Sequence, residues 1–177
     1  SLPSSVSLIG ESAFEACHGL TSVTSPGVTS IGLFAFADCT GLTSVTLPNT
    51  LTNIGLAAFF QCTGLTNVTI PSSVTSIGLS PFNSCTGLMA ITVDAQNPTY
   101  SSADGVLFDK AQELLIEYPG GKAGSYTPPD SATIIGGSAF YGCTELTSVT
   151  LPNVISIEFS AFQECAGLTD VTLPNSL

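Results

Sequence analysis

The chain has no arginine or tryptophan, and among its 177 residues only two lysines, one histidine and one methionine occur. Thirteen acids face those two lysines, which leaves a formal net charge of −11. Both lysines, Lys110 and Lys122, fall in one irregular segment. Neutralising nucleic-acid phosphates takes clustered Lys or Arg, so nucleic acid is excluded as a partner. Docking to an anionic lipid surface is disfavoured for the same reason. The sequence lacks any apolar run long enough to span a bilayer, so membrane insertion is not expected. Charged residues of both signs make up only 8% of the chain, against roughly 25% in an average soluble domain. Solubility must then rest on Ser, Thr, Asn and Gly, while 44% apolar residues supply a sizeable core. No secretory leader is visible. The chain opens on "SLPSSV" and stops at "TLPNSL" in the same phase, which reads as a window cut from a longer array.

That phase is set by an internal repeat. Aligned on proline, units begin at Pro3, Pro26, Pro48, Pro71, Pro129 and Pro152, and Pro174 opens another. The spacings are 23, 22 and 23 residues, then 58, then 23 and 22. In "LTSVTL" the last apolar residues alternate, the period of a strand with one buried face. Proline ends the pairing because it has no N–H. A second extended piece, "VTSIG", ends at a glycine read as supplying a turn. The run "xxAFxxC" is expected to be a short helical turn with Ala, Phe and Cys facing inward, closed by the glycine of "CTGL". One unit cannot bury its own apolar face, whereas a stack of units can. Stacking places Phe14, Phe36, Phe59, Phe82, Phe140 and Phe162 in one ladder and Cys17, Cys39, Cys62, Cys85, Cys143 and Cys165 in another. The reading is a β-rich α/β solenoid of about seven coils, one domain over residues 1–177.

Residues 94–128 break the repeat. "GVLFDK" and "ELLIEYP" read as two strands joined by a tight turn around Lys110 and Ala111, a β-hairpin inserted after the fourth coil. A glycine-rich loop at Gly120, Gly121 and Gly124 is expected to follow.

The pattern proline, x, x, Val, x, x, Ile-Gly, x, x, Ala-Phe, x, x, Cys, x, x, Leu, x, x, Val, x, Leu resembles the bacterial leucine-rich repeats called BspA-like. The resemblance covers almost the whole chain, and "DGVLFDK…LLIEYP" looks like an interruption common in that family. It implies a right-handed leucine-rich-repeat superhelix with a parallel β-sheet on the concave face. Family members are mostly secreted or cell-surface proteins, and some are adhesins for extracellular-matrix proteins. No catalytic residues are associated with the repeat. The shortage of Lys and Arg is a departure from the family and weighs against charge-driven adhesion.

Candidate chemistry is sparse. The six cysteines share one slot, where parallel Cβ vectors suit neither a disulfide nor a converging metal site, so buried unpaired thiols are expected. Cys17 and His18 are adjacent, which invites a Cys–His nucleophile, but an exposed loop histidine beside a buried cysteine is the preferred reading. Asp94, Asp104 and Asp109 cluster around the insertion without the spacing of an EF-hand loop. No catalytic residue, metal or cofactor is expected.

Two groups of residues are candidates for binding. In the repeated strand an outward column holds Thr24, Thr46, Thr69, Thr92, Thr150 and Thr172, and its neighbour holds Ser44, Asn67 and Ser148. Solenoids use such faces as extended binding surfaces, although Thr also simply suits an exposed strand. Asn67 opens an "NVT" glycosylation pattern, but within a strand rather than a loop. The second group is Tyr100, Tyr118 and Tyr126 in the insertion, read either as a contact surface or as rings that pack the hairpin onto the solenoid. The expected function is a non-catalytic protein-binding or adhesion module of a secreted or cell-surface protein, with an extracellular protein or glycan as ligand. The alternative is a structural block that stacks head to tail into a fibre or coat.

Overall fold

The computed structural model describes residues 1–174. It is a β-solenoid with two short strands in each regular coil. The first half runs β1 (Leu8–Ile9), β2 (Ser22–Thr24), β3 (Ser30–Ile31), β4 (Ser44–Thr46), β5 (Asn53–Ile54), β6 (Asn67–Ile70), β7 (Ser76–Ile77) and β8 (Ala90–Val93). The insertion holds β9 (Tyr100–Ala103), β10 (Val106–Asp109), β11 (Leu114–Glu117) and β12 (Gly124–Tyr126). The last coils hold β13 (Ile134–Ile135), β14 (Leu146–Thr150), β15 (Ser156–Ile157) and β16 (Asp170–Thr172). Like residues pair in parallel across coils: Val23 with Val45, Thr24 with Thr46, Ile31 with Ile54 and Ile54 with Ile77. No helix occurs among the described residues, so none is long and apolar enough to cross a membrane.

The expected helical turn is therefore corrected. At "xxAFxxC" the chain forms a ledge of tight turns in which successive N–H groups point alternately within and between coils. Ala35, Ala37 and Cys39 donate back to Gly32, Phe34 and Phe36, while Phe34, Phe36 and Asp38 donate to Leu56, Ala58 and Phe60 of the next coil. A helix keeps its hydrogen bonds inside one segment. Here half of them are spent on the neighbour, and the backbone bends to permit it. Phe34 and Asp38 have φ of 53° and 57°, and equivalent pairs recur at Ser12 and Ala16, Ala57 and Gln61, Ser80 and Ser84. Left-handed backbone costs a non-glycine residue roughly 1–2 kcal/mol. Each such residue named with a donated bond above offsets that cost with an inter-coil hydrogen bond.

The glycines have a different task from the one expected. Those in "CTGL" and "IG" keep an ordinary negative φ, but a Cβ on Gly41 would lie 2.2 Å from the His18 carbonyl oxygen, and one on Gly55 would lie 2.5 Å from the backbone of Gly32. They permit close approach of stacked backbones rather than a special turn.

Inside the stack the phenylalanines form a continuous ladder. Phe14, Phe36, Phe59 and Phe82 stack with ring centroids 5.2, 5.2 and 5.3 Å apart, close to the ~4.8 Å strand spacing. Cys39, Cys62, Cys85 and Cys143 are fully buried. Their thiols donate to the carbonyl of the aromatic residue one coil back, as Cys62 does to Phe36 at 3.1 Å. All six cysteines are free, as expected, but Cys17 in the first coil is exposed and Cys165 half-buried. Cys17 thus departs from the buried reading.

The insertion is itself a modified coil. β10 pairs antiparallel with β11, which is the expected hairpin, and also with β9, a strand the sequence reading missed. β11 then rejoins the stack in parallel with β13, and β12 does so with β14. Gly124 belongs to β12 rather than to a loop. β10 is buried on both faces: Leu107 enters the core of the first coils, and Val106 and Phe108 enter the core of the last.

Candidate binding surface

The strand face is built by alternation. In β2 and β6 the valines point inward while Ser22, Thr24, Asn67 and Thr69 are exposed. Ser44, Thr46, Thr92, Thr150 and Thr172 are exposed in the same register, and Ser148 is half-buried. Thr69 and Thr92 share a hydrogen bond of 3.0 Å along the column. Thr92 also donates to the Val68 carbonyl at 3.2 Å, and threonines of other columns tie the coils in the same way: Thr43 caps the Thr21 carbonyl, Thr52 that of Thr29, and Thr169 that of Thr147.

Three of the sequence candidates converge. Thr46, Asn67 and Thr69 line an open groove of about 280 Å³ with Asn49 and Asp94, against an apolar wall of Val45, Leu47 and Pro71. This is below the ~300–1,000 Å³ of small-molecule pockets. Its lining presents hydroxyl, amide and carboxylate groups. Thr24 continues the column of Thr46 outside it, while Thr150 and Thr172 pair with each other in the separate sheet of β12, β14 and β16.

The tyrosines are placed otherwise. Tyr118 and Tyr126 are buried at 2% and 6% exposure, with ring centroids 4.8 Å apart. Tyr118 stacks on Phe140 at 5.0 Å and its carbonyl receives the Cys143 thiol, so it holds the phenylalanine slot of the inserted coil. The Tyr100 hydroxyl accepts the Ile77 N–H at 2.9 Å. These rings pack the hairpin onto the stack, which replaces the contact-surface reading for them. Burial pushes the phenols of Tyr118 and Tyr126 up.

The remaining candidates are used internally. Asp109 accepts the N–H groups of Glu113 and Leu114, Asp94 that of Gln96, and Asp104 pairs with Lys122. Lys110 donates to the Asn97 carbonyl at 2.6 Å. The three aspartates therefore serve separate partners, and no group of three metal-ligating side chains occurs among the described residues. His18 is exposed, with Nε2 3.9 Å from Asp38, and its Nδ1 faces Thr40. Burial pushes the Cys39 thiol up to about 11 and raises those of Cys85 and Cys143 as well, which keeps them protonated and inert.

One residue escaped the sequence reading. Glu117 is fully enclosed, and its carboxylate accepts the Phe82 N–H at 3.0 Å. In a regular coil that acceptor is a backbone carbonyl, as Pro81 is for Phe59. Burial pushes the Glu117 carboxyl up to about 8, against the opposing pull of the Phe82 N–H. The alternation of "LLIE" was the available signal, since it puts Leu115 and Glu117 on one face.

The repeat matches the profile of the BspA type leucine rich repeat region, in six copies over residues 1–104 and 121–177. The chain belongs to that family. The unmatched residues, 105–120, hold β10 and β11. Solved structures agree with this assignment. A leucine rich cell surface protein from Faecalibacterium prausnitzii is 32% identical over 93% of this chain and 44% of its own, with a TM-score of 0.77. The pneumococcal vaccine antigen PcpA is 26% identical over 99% and 50%, with a TM-score of 0.76. A Treponema pallidum leucine rich repeat protein is 28% identical over 98% and 69%, at 0.56. This BspA-type chain thus spans about half the length of the first two structures. No curated protein sequence matches it.

Proposed function

We propose that this BspA-type segment is a non-catalytic binding module of a bacterial surface or secreted protein, acting in adhesion through its outward strand face. The observation that carries the reading is the groove at Thr46, Asn67 and Thr69. Its polar side chains are exposed in register, while other threonine columns tie the coils together. Repeated faces of this kind present one chemistry along an extended ligand. The relatives support the setting, since one is described as a cell surface protein and another as a vaccine antigen. The ligand is an extracellular protein or its glycan, met by hydroxyl and amide groups rather than by cations.

The test is retention on immobilised matrix glycoproteins, with and without enzymatic removal of their glycans. The unaltered chain should be retained. Thr46→Asp with Thr69→Asp should weaken retention about tenfold, because two added carboxylates would be desolvated in a groove that already holds Asp94. Equal retention of both proteins would sink the strand-face reading.

A further inference from the structure

The turn ledge carries a second groove, on a part of the repeat that the strand-face reading does not use. It has a volume of about 260 Å³ and is lined by Phe34, Ala57, Phe60 and Tyr141, with the short side chains of Ser80 and Ser138. Its origin lies in the columns of the repeat. The slot after the ladder phenylalanine reads Phe60, Asn83, Tyr141 in the ledges of Phe59, Phe82 and Phe140, and the slot two before it reads Ala57, Ser80, Ser138. The ledges of Phe82 and Phe140 are direct neighbours here: the Asn83 amide donates to the Ser138 carbonyl at 3.3 Å, and a Cβ on Gly142 would meet Ser84. Small residues line this seam beside two large rings, Phe60 and Tyr141, whose centroids are 6.4 Å apart. The Asn83 amide is already engaged, so the groove offers apolar surface and few free hydrogen-bonding groups.

Its surroundings are acidic. Asp38 stands four residues after Phe34 on the same ledge, and only His18 approaches it as a base. At the other side, the Glu164 carboxylate accepts the Tyr141 hydroxyl at 2.7 Å, which fixes a charge beside a lining ring. Glu11 and Glu15 stand on the ledge of the first coil and Glu158 on that of the last. Apolar exposure continues next to the groove at Leu56 and Leu79, 43% and 42% exposed. No cation of the chain balances these acids, because Lys110 and Lys122 are held in the insertion on Asn97 and Asp104.

We propose that this ledge groove is a second interaction surface, and that it takes a polypeptide segment with apolar side chains flanked by Lys or Arg. An apolar strip rimmed by one sign of charge selects that partner twice, by burial and by charge complementarity. A segment of this chain cannot fill it, since the chain has no basic run. An anionic membrane would be repelled by a net charge of −11.

The probe is a fluorescein-labelled peptide with paired lysines at both ends and alternating leucine and serine between, read by anisotropy. Saturable binding is expected. It should be lost when the lysines become glutamates and when the leucines become serines. Phe60→Ser should weaken binding about tenfold. The milder pair Asp38→Asn with Glu164→Gln should weaken it about threefold and flatten its salt dependence. Asn tolerates the left-handed backbone at position 38, and Gln keeps the side-chain length and acceptor oxygen of Glu164 at its own φ of 61°. The pair Thr46→Asp and Thr69→Asp should leave peptide binding unchanged, which separates this surface from the strand face. The inference is overturned by absent or unsaturable binding, by equal binding of the glutamate peptide, or by unchanged affinity in both ledge variants. Loss of binding in the strand-face variant, or full competition by zwitterionic phosphatidylcholine vesicles, overturns it too.

Discussion

The coils before residue 94 and the modified coil from 94 to 128 meet one problem in two ways. Both must satisfy N–H groups that point at the next coil. In the regular coils the answer is backbone: Phe14, Phe36 and Phe59 donate to Ala35, Ala58 and Pro81. At the insertion it is largely side chain. Glu117 accepts from Phe82, Tyr100 from Ile77 and Ser102 from Val93. Asn97, also fully buried, donates to the carbonyls of Pro71 and Val74. A repeat satisfies its neighbour automatically because the neighbour has the same shape. A coil of different shape needs particular side chains at particular places, so its polar and aromatic residues are committed to structure. That leaves the regular coils, whose exposed columns are only partly bonded within the stack, as the place of the proposed binding surface.

The contrast can be broken by substitution. The largest effect belongs to the regular ladder. Phe59→Ala removes a ring stacked on both sides and should cost about 3–5 kcal/mol in urea unfolding. Tyr118→Phe, in the same slot of the modified coil, should cost nothing or stabilise. The Tyr118 hydroxyl is buried without a partner, and removing such a group recovers about 1–3 kcal/mol at most. A loss comparable to that of Phe59→Ala would refute this account of the slot.

Next in size is a pH dependence owed to Glu117. Its folded carboxyl titrates at about 8, above its ordinary value of 4.5. Between those values the folded chain holds a proton that the unfolded chain has released. Stability from this group is complete below about pH 4.5 and falls as pH rises toward 8. The slope approaches ~1.4 kcal/mol per pH unit. Cys85 and Cys143 feel the same carboxylate, and burial keeps both protonated throughout this range. Glu117→Gln retains an acceptor for Phe82 without the charge. It should abolish the slope and raise Tm at pH 8 but not at pH 5; an unchanged slope would remove Glu117 from the explanation.

Smaller again is the close-approach test. Gly55→Ala should destabilise by about 1–3 kcal/mol through backbone overpacking. Gly10→Ala, in the same repeat slot of the first coil, meets nothing within 4 Å and should be near neutral. Equal costs would show that these glycines serve conformation rather than approach. The smallest effect is chemical. A thiol reagent should modify Cys17 in the folded chain and spare Cys39, Cys62, Cys85 and Cys143 until denaturation, measured by mass spectrometry of modified peptides.

The repeat was legible because proline, phenylalanine and cysteine mark its phase, and ladders follow from stacking alone. The β10–β11 hairpin was legible from "GVLFDK" and "ELLIEYP", bounded by turn residues. The ledge was not. "AFxxC" has a helical spacing, and what overrides it is a set of bonds to the adjacent coil, which no local pattern displays. The two readings of Tyr118 could not be separated for a related reason: its slot is that of a phenylalanine, but the register that shows this is shifted by the insertion. On the candidate surface, the alternation of "LTSVTL" identified Thr46, Asn67 and Thr69. It did not show that these three, rather than all members of the columns, line one groove, because that depends on how neighbouring strands sit in space.

The most direct measurement compares the two regions on one ligand. A matrix glycoprotein that retains the chain is titrated by surface plasmon resonance against Thr46→Asp with Thr69→Asp, and separately against Ala111→Glu at the exposed tip of the hairpin. The account predicts about tenfold weaker binding for the strand-face pair and an unchanged Kd for the hairpin variant. The reverse pattern, loss at residue 111 with full affinity in the strand-face pair, would contradict it.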